Sequence, residues 1–202
     1  MIKVTLKDGS VIEVEKGTTA FEAAKIISQG LARIACAAKI DGKNSDLRTA
    51  LNDDCKLEIL TFDDEYGAWT FRHTASHIMA QAVKRLFPHA LLAIGPAVND
   101  GFYYDFDIED KFTPDDLLKI EAEMKKIVKE DIKLERFTMS RDEALDYFKK
   151  QGEPYKTELV ENLPEGEEIS FYRQGDFTDL CAGAHLMSTG AVKAFKLTDR
   201  KS

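Results

Sequence analysis

Apolar and polar residues alternate over residues 2–6 and again over residues 12–14, and an Asp8–Gly9 pair lies between the two runs. Strict alternation is typical of a β-strand with one buried face. An Asp-Gly pair favours the tight turn that joins two antiparallel strands. The chain therefore begins with a predicted β-hairpin.

A helical pattern and two further strands follow the hairpin. Thr19 and Glu22 have the spacing of a capping box, which marks the start of a helix, and Gly30 is the predicted end of that helix. The segments "IACAAKIDGK" and "CKLEILTF" have the composition of short strands. This order of elements predicts a small ubiquitin-like (β-grasp) domain over residues 1–62, in which nothing resembles a catalytic site.

Residues 63–202 mix helical and strand patterns. The stretch "DDEYGAW" is interpreted as a linker, and "FRHTASHIMAQAVKRLF" as an amphipathic helix that ends at Phe87–Pro88. Thr113 and Ser140 are predicted to cap two more helices. Predicted strands lie in "LLAIGPAVNDGFYYDFDI", "IKLERFTM", "EEISFYRQGDFTDLC" and "VKAFKL". This mixture predicts a second, larger domain of the α+β class.

Composition narrows the class of protein. The 202 residues are 44% hydrophobic and 32% charged, as in globular domains. No run approaches the roughly 20 apolar residues of a membrane span, and no secretory signal follows Met1. Three irregularly spaced cysteines do not make a disulfide framework, so a reducing cytoplasm is expected. Residues 1–62 are electrically neutral and the net charge of −8 lies beyond them, which excludes a broad basic surface for nucleic acid.

Two short stretches concentrate chemistry-bearing side chains. His73 and His77 are four residues apart on the predicted helix and therefore share one face. Cys181 and His185 have the same spacing about a hundred residues later, where Gly183 favours a loop. Three imidazoles and a thiol can bind Zn²⁺, or they can line a polar cleft and position water against an electrophilic carbonyl. The pattern alone leaves both alternatives open.

Four segments, preceded by the ubiquitin-like domain, resemble the N-terminal half of bacterial threonyl-tRNA synthetases. In chain order they are "HTASHIMAQAVKRLFP", "IGPAVNDGFYYDF", "PYKTEL" and "DLCAGAHLMSTG". The histidine and cysteine pattern is shared with the editing domain of alanyl-tRNA synthetases, but the leading domain and "GPAVNDGFYYD" favour the threonyl family. The family usually has Gly-Pro-His where this chain has Gly183-Ala184-His185, and loss of that proline is expected to loosen the loop.

The resemblance implies a TGS domain at residues 1–62 and a tRNA editing domain at residues 63–202. An editing domain of this family hydrolyses serine wrongly esterified to the threonine tRNA, so the implied partner is the 3′ acceptor end of that tRNA carrying serine. The ligase reaction, with its ATP, Mg²⁺ and zinc, is implied for a class II catalytic domain outside these residues. This part of the enzyme is expected to be a cytoplasmic monomer without a membrane partner, and the parent enzyme is expected to be a homodimer.

The resemblance also implies roles for individual catalytic residues. His73 and His77 hold or deprotonate water or the ribose hydroxyl, and Cys181 and His185 complete the wall of the site. Lys156 orients the water or steadies charge on the carbonyl oxygen, although by itself this lysine is typical of a solvated surface. The substrate amino group is expected to bind Asp179.

Substrate contacts are implied for three more positions. Tyr104 is expected to line the pocket for the terminal adenosine, because single-stranded ends are recognised partly by aromatic side chains. Gly95 and Pro96 are expected to form a turn that lets backbone approach the substrate.

No cofactor is expected in this part of the chain, with zinc as the alternative. Its ligands would be His73, His77, Cys181 and His185. That alternative describes either a non-catalytic tRNA-docking module with structural zinc or a zinc-dependent editing domain of the alanyl type.

Overall fold

The computed structural model describes residues 1–109 and 111–198. The chain divides into two compact units, which are described separately. The first comprises Met1–His73 together with Gly183–Met187, and the second comprises Thr74–Ala182 together with the residues from Ser188 onward. Within the described ranges, no helix combines the length and apolar character that crossing a lipid bilayer requires.

The first unit is built on a mixed five-stranded sheet. Its strands are β1 (Ile2–Leu6), β2 (Val11–Val14), β3 (Ala37–Ile40), β4 (Lys43–Ser45) and β5 (Cys55–Leu60), in the spatial order β2-β1-β5-β3-β4. The central pair β1 and β5 is parallel, and the other pairs are antiparallel. The predicted hairpin and the β-grasp arrangement are both confirmed.

Two short helices connect β2 to β3. Helix α1 (Ala20–Ile27) begins with the predicted capping box, in which the Thr19 hydroxyl accepts from the Glu22 N–H. The predicted end at Gly30 is wrong. Helix α1 ends before Ser28, whose side chain then caps helix α2 (Gln29–Ile34). A serine with extended backbone can end one helix and start the next, because its side chain satisfies the exposed N–H groups.

The first unit has an apolar core of buried side chains. Its buried members come from the strands, from α1 and from the connection between β4 and β5. They are Ile2, Val4, Val14, Ala20, Ala23, Ala35, Ala38, Leu47, Leu51 and Leu57. Met187, which comes from the far end of the sequence, packs against the same cluster.

Helix α3 (Glu65–Leu86) is the longest element of the chain. It ends before Phe87–Pro88 as predicted, but the predicted linker "DDEYGAW" is already helical from Glu65. Ala68 donates to the Asp64 carbonyl in the first helical turn. Gly67 in this stretch suggests a break, but a Cβ there would lie 1.8 Å from the Thr61 carbonyl oxygen, so this glycine permits close backbone approach in the first helical turn.

The second unit is α+β. It contains an antiparallel sheet of β10 (Leu134–Met139), β11 (Ile169–Gln174) and β12 (Phe177–Leu180). The helices are α4 (Pro114–Glu130), α5 (Arg141–Gln151) and α6 (Pro154–Asn162), and a short 3₁₀ helix covers Thr189–Ala191. Thr113 and Ser140 begin α4 and α5 with complete capping boxes, as predicted. A buried cluster of Ala144, Phe148, Val160, Ile169 and Phe171 connects α5 and α6 to the sheet.

Two strand predictions in this unit are wrong. The predicted aromatic strand is broken into β8 (Gly101–Phe102) and β9 (Phe106–Asp107), and β6 (Leu91–Leu92) and β7 (Ala97–Val98) precede it. Tyr104 lies between β8 and β9, where the chain leaves one two-stranded ribbon for the other. The predicted strand "VKAFKL" is irregular, because no described strand pairs with it and an apolar alternation alone does not make a ladder.

Candidate functional site

A buried charge network lies in the second unit, between the start of α6 and strand β12. The Lys156 ammonium is 2.8 Å from Asp179 Oδ1 and donates to the Tyr104 hydroxyl at 3.0 Å. The Tyr104 hydroxyl donates to Asp179 Oδ2 at 2.7 Å. The side chains of Lys156 and Asp179 are 4% and 2% exposed, so the solvated lysine that the sequence indicates is in fact buried.

This network keeps Asp179 charged and Tyr104 neutral. Burial alone would raise the pKa of the Asp179 carboxyl, but the Lys156 ammonium and the His77 imidazole hold that pKa below its ordinary value. Burial and the Asp179 charge raise the pKa of the Tyr104 hydroxyl well above its ordinary value. The site therefore contains a carboxylate, an ammonium group and a phenol that donates.

Close backbone approach sets the position of the Tyr104 ring. A Cβ added at Gly95 would lie 2.0 Å from Cδ2 of Tyr104, so only glycine fits there. The Gly95 carbonyl accepts from the Ser76 hydroxyl at 2.9 Å, and the ring stacks on Phe106 with 4.9 Å between centroids. Gly95 thus sets the position of Tyr104. The contact of Gly95 and Pro96 with substrate stays a prediction.

His77 and Cys181 also belong to the second unit, and both are buried. The Gln174 side chain donates to the His77 carbonyl at 3.3 Å. Beyond β12, Cys181 continues the ladder, because its N–H donates to the Ser170 carbonyl and its own carbonyl accepts from the Ser170 hydroxyl at 2.6 Å. Cys181 lies two residues after Asp179, so both side chains leave the extended chain on one face.

His73 and His185 face each other within the first unit. Their rings stack with centroids 4.3 Å apart and planes 26° apart. His73 Nδ1 is 3.3 Å from the Ala184 carbonyl oxygen. A Cβ at Gly183 would lie 2.6 Å from the Trp69 ring and 2.7 Å from the His73 ring, which explains the glycine before this turn. The predicted loop form of this stretch is confirmed.

Sequence reasoning missed three residues that hold these stretches in place. Arg48 and Asp46 bind the backbone of residues 185 and 186, and Ser170 binds the backbone of Cys181. Nothing in the local sequence marks them, because their partners are more than ten residues away in every case. The substitution of alanine for proline at position 184 is expected to loosen this loop, but side-chain contacts from outside the loop restrict it.

The structure allows a test of the zinc alternative. Of the four candidate ligands, His73 and His185 lie in the first unit and His77 and Cys181 in the second, and all four side chains are buried. Zinc binds an imidazole nitrogen in the plane of the ring at about 2.0–2.1 Å. Because the His73 and His185 rings are stacked at 26°, an ion in the plane of one ring lies off the plane of the other. Binding of one ion by both rings would require one ring to turn, and zinc stays an alternative.

Comparisons with known proteins agree with this architecture. Residues 2–61 match the family described as TGS domain, and residues 169–202 match the family described as Threonyl and Alanyl tRNA synthetase second additional domain. Over 98% of its length the chain is 62% identical to the threonine–tRNA ligase of Acetivibrio thermocellus. The ligases of Clostridium tetani and Clostridium acetobutylicum are 61% and 59% identical over the same share. The chain spans 31% of the length of these curated relatives.

Proposed function

Because this chain belongs to the threonyl-tRNA synthetase family, with its TGS domain and its second additional domain, we propose that it hydrolyses serine wrongly esterified to the threonine tRNA. The proposal assigns recognition and hydrolysis of the ester to residues 63–202 and a supporting role to residues 1–62. Ligation of threonine with ATP and Mg²⁺ would belong to another part of the longer cytoplasmic enzyme.

An editing reaction of this kind has a simple physical reason. Serine and threonine share a hydroxyl group and differ by one methyl group, so a site that recognises the hydroxyl cannot reject serine. The missing methyl costs serine only about 1–3 kcal/mol of binding, or roughly a 10–200-fold preference. A second site that admits serine, excludes the extra methyl and hydrolyses the ester supplies the remaining accuracy.

The buried network of Lys156, Asp179 and Tyr104 carries the proposal. An ammonium group has three N–H donors, and among the described residues Lys156 uses two of them, toward Asp179 and Tyr104. Asp179 Oδ2 accepts from Tyr104 and has room for one further donor. The network therefore offers a donor for an ester carbonyl oxygen and an acceptor for a nearby α-ammonium group. These are the two polar features that every aminoacyl ester presents.

The reaction follows from those contacts. Water attacks the ester carbon, and the remaining Lys156 N–H stabilises the negative charge that develops on the carbonyl oxygen. His73 and His77 lie one turn apart on α3, and an imidazole there takes the proton from the water. The tetrahedral intermediate collapses, and the ribose oxygen leaves with a proton returned by an imidazole. The products are free serine and intact tRNA, and Asp179 holds the serine ammonium group throughout.

Deacylation of the threonine tRNA charged with serine, compared with the same tRNA charged with threonine, tests this proposal. The wild-type chain should hydrolyse the seryl ester and spare the threonyl ester. The K156M and H73A variants should each lose about 100-fold or more of the rate, since removal of one transition-state donor or of a general base costs this much. The exposed Lys149 on α5 provides a control, and K149M should keep the wild-type rate.

Three results would refute the assignment. They are absence of seryl hydrolysis by the folded wild-type chain, equal hydrolysis of both esters, and full activity in K156M and H73A. Circular dichroism on each variant separates loss of chemistry from loss of fold, because K156M leaves a buried carboxylate without its partner.

Four buried histidine and cysteine side chains make the zinc alternative testable with the same samples. Metal analysis and deacylation are repeated with and without chelator. Stoichiometric zinc with loss of fold on chelation supports the non-catalytic docking module. Zinc-dependent hydrolysis of the seryl ester on the alanine tRNA supports an alanyl-type site. Unchanged seryl hydrolysis in chelator supports the proposal.

A further inference from the structure

The segment Gly183–Met187 carries His185 without any helix or strand to hold it. It belongs to the first unit, together with the β-grasp sheet. His185 is fully buried and its ring stacks on His73, so its backbone must be fixed by something other than regular structure. Two side chains of the β-grasp unit supply that constraint.

Arg48 binds the two successive carbonyls of this segment. Its Nη1 donates to the His185 carbonyl at 3.1 Å, and its Nη2 donates to the Leu186 carbonyl at 2.8 Å. The planar guanidinium group holds both donors in one fixed orientation, which a lysine cannot do. The contact therefore sets the direction of the backbone as well as its position.

Asp46 binds the same stretch as a hydrogen-bond acceptor, whereas Arg48 acts as a donor. Its Oδ2 accepts from the His185 N–H at 3.2 Å. Its Oδ1 accepts from the Arg48 N–H at 2.7 Å and from Arg48 Nη1 at 3.0 Å. Leu47, between the two residues, is fully buried in the β-grasp core and anchors the backbone that carries the pair.

The peptide of His185 is thus held at its N–H by a carboxylate and at its C=O by a guanidinium. The two side chains are 11% and 16% exposed, so these charge-assisted hydrogen bonds are shielded from most of the solvent. Fixing both ends of one residue leaves its imidazole few orientations. The contacts are therefore placed to orient a ring rather than to touch a substrate.

We propose that Asp46 and Arg48 are positioning residues that orient His185 for ester hydrolysis, so that the β-grasp domain contributes to the reaction and is not only a docking module. The expected effect of the pair on the rate of hydrolysis rests on the proposed function. The structural content of the inference, that the pair orders the His185 backbone, stands independently of the reaction.

Single-turnover deacylation of the seryl ester measures the catalytic consequence. R48A should lower the rate constant by about tenfold or more, as loss of hydrogen bonds to a charged group does, with the KM for the charged tRNA within about threefold of wild type. R48K should fall between R48A and wild type, and added guanidinium ion should restore part of the R48A rate. Arg33 on α2 lies in the same unit and binds its own helix, so R33A should behave as wild type.

Amide hydrogen exchange at His185, followed by NMR, measures the structural content. Exchange should accelerate in R48A and D46A and stay unchanged in R33A. An inactive wild-type chain would end the proposed function, while the exchange result would still decide whether the pair orders the loop. Wild-type rate and wild-type exchange in R48A would overturn the inference, as would an equal loss in R33A. If R48A does not fold, R48K decides by the same two measurements.

Discussion

Lys156 shows how far the environment of a single residue can depart from what its neighbours in the sequence suggest. It occupies the first turn of α6, where a lysine is ordinarily solvated, yet it is 3% exposed and pairs with Asp179. A buried pair of this kind is weak evidence for stability, because desolvation offsets much of the attraction. The proposed role of Lys156 in ester hydrolysis accounts for a buried pair that stability alone does not explain.

Gly95 gives a prediction at the same scale. G95A should displace the Tyr104 ring, destabilise the protein by about 1–3 kcal/mol and slow seryl hydrolysis, since the added Cβ would lie 2.0 Å from that ring. Thermal melting and the deacylation rate measure the two effects. Gly101 has nothing within 4 Å of an added Cβ, so G101A is the matched control and should change neither. Equal melting temperatures for the two variants would contradict the account.

Helix α6, which carries Lys156, is anchored at its C-terminal end by a residue from another element. Arg141, the first residue of α5, donates to the carbonyls of Val160 and Leu163, and the latter distance is 2.6 Å. It also donates to the Pro164 carbonyl at 2.9 Å. A cation at this end satisfies carbonyls that the helix itself cannot pair.

Removing that anchor should loosen α6. R141A is expected to lower the free energy of unfolding by about 1–3 kcal/mol, because several buried or half-buried carbonyls lose a charged donor. Arg173 on β11 forms an exposed pair with Glu135, so R173A should cost no more than about 1 kcal/mol. Urea titration of both variants measures the difference. Equal costs would show that the α6 carbonyls do not depend on Arg141.

The whole molecule should lose stability in acid, and the direction follows from its carboxyl groups. In the three capping boxes, hydrogen bonds from Thr19, Thr113 and Ser140 lower the pKa of the partner carboxyl, and that of Asp116 falls to about 2. The network lowers the pKa of Asp179 in the same direction. The pKa of these carboxyl groups is lower in the folded chain than in the unfolded chain, where it is near 4. They therefore stabilise the fold at a pH above that unfolded pKa, and this stabilisation is lost as the pH falls through the folded-state pKa.

The urea midpoint is therefore expected to stay nearly level from about pH 7 to pH 5 and to fall steeply from about pH 4 downward. Urea titrations across that range, followed by circular dichroism, measure this. A midpoint that is unchanged or higher at about pH 3 would show that these carboxyl groups have ordinary pKa values in the folded chain.

Several features of the molecule could be predicted from sequence because each is encoded within a few residues. The hairpin around Asp8–Gly9 and the capped starts of α1, α4 and α5 depend on backbone groups no more than four positions away. The α+β class follows from the same local patterns. The pairing of two histidines on one helix face needed only the helical repeat.

Features decided by residues far apart in sequence could not be predicted. The aromatic segment is broken because its pieces pair in two separate ribbons, and the burial of Lys156 depends on Asp179 and Tyr104. The roles of Arg48 and Asp46 depend on a loop more than 130 residues away.

By itself, then, the sequence determined the helix caps, the hairpin, the fold class and the residue types from which a site for an aminoacyl ester is proposed. Only the tertiary structure decided which charges are buried together, which backbone groups are held and which aromatic ring faces inward. The physical reason is that caps and turns are satisfied by short-range hydrogen bonds, whereas burial and charge pairing depend on the packing of distant segments, which a local pattern does not specify.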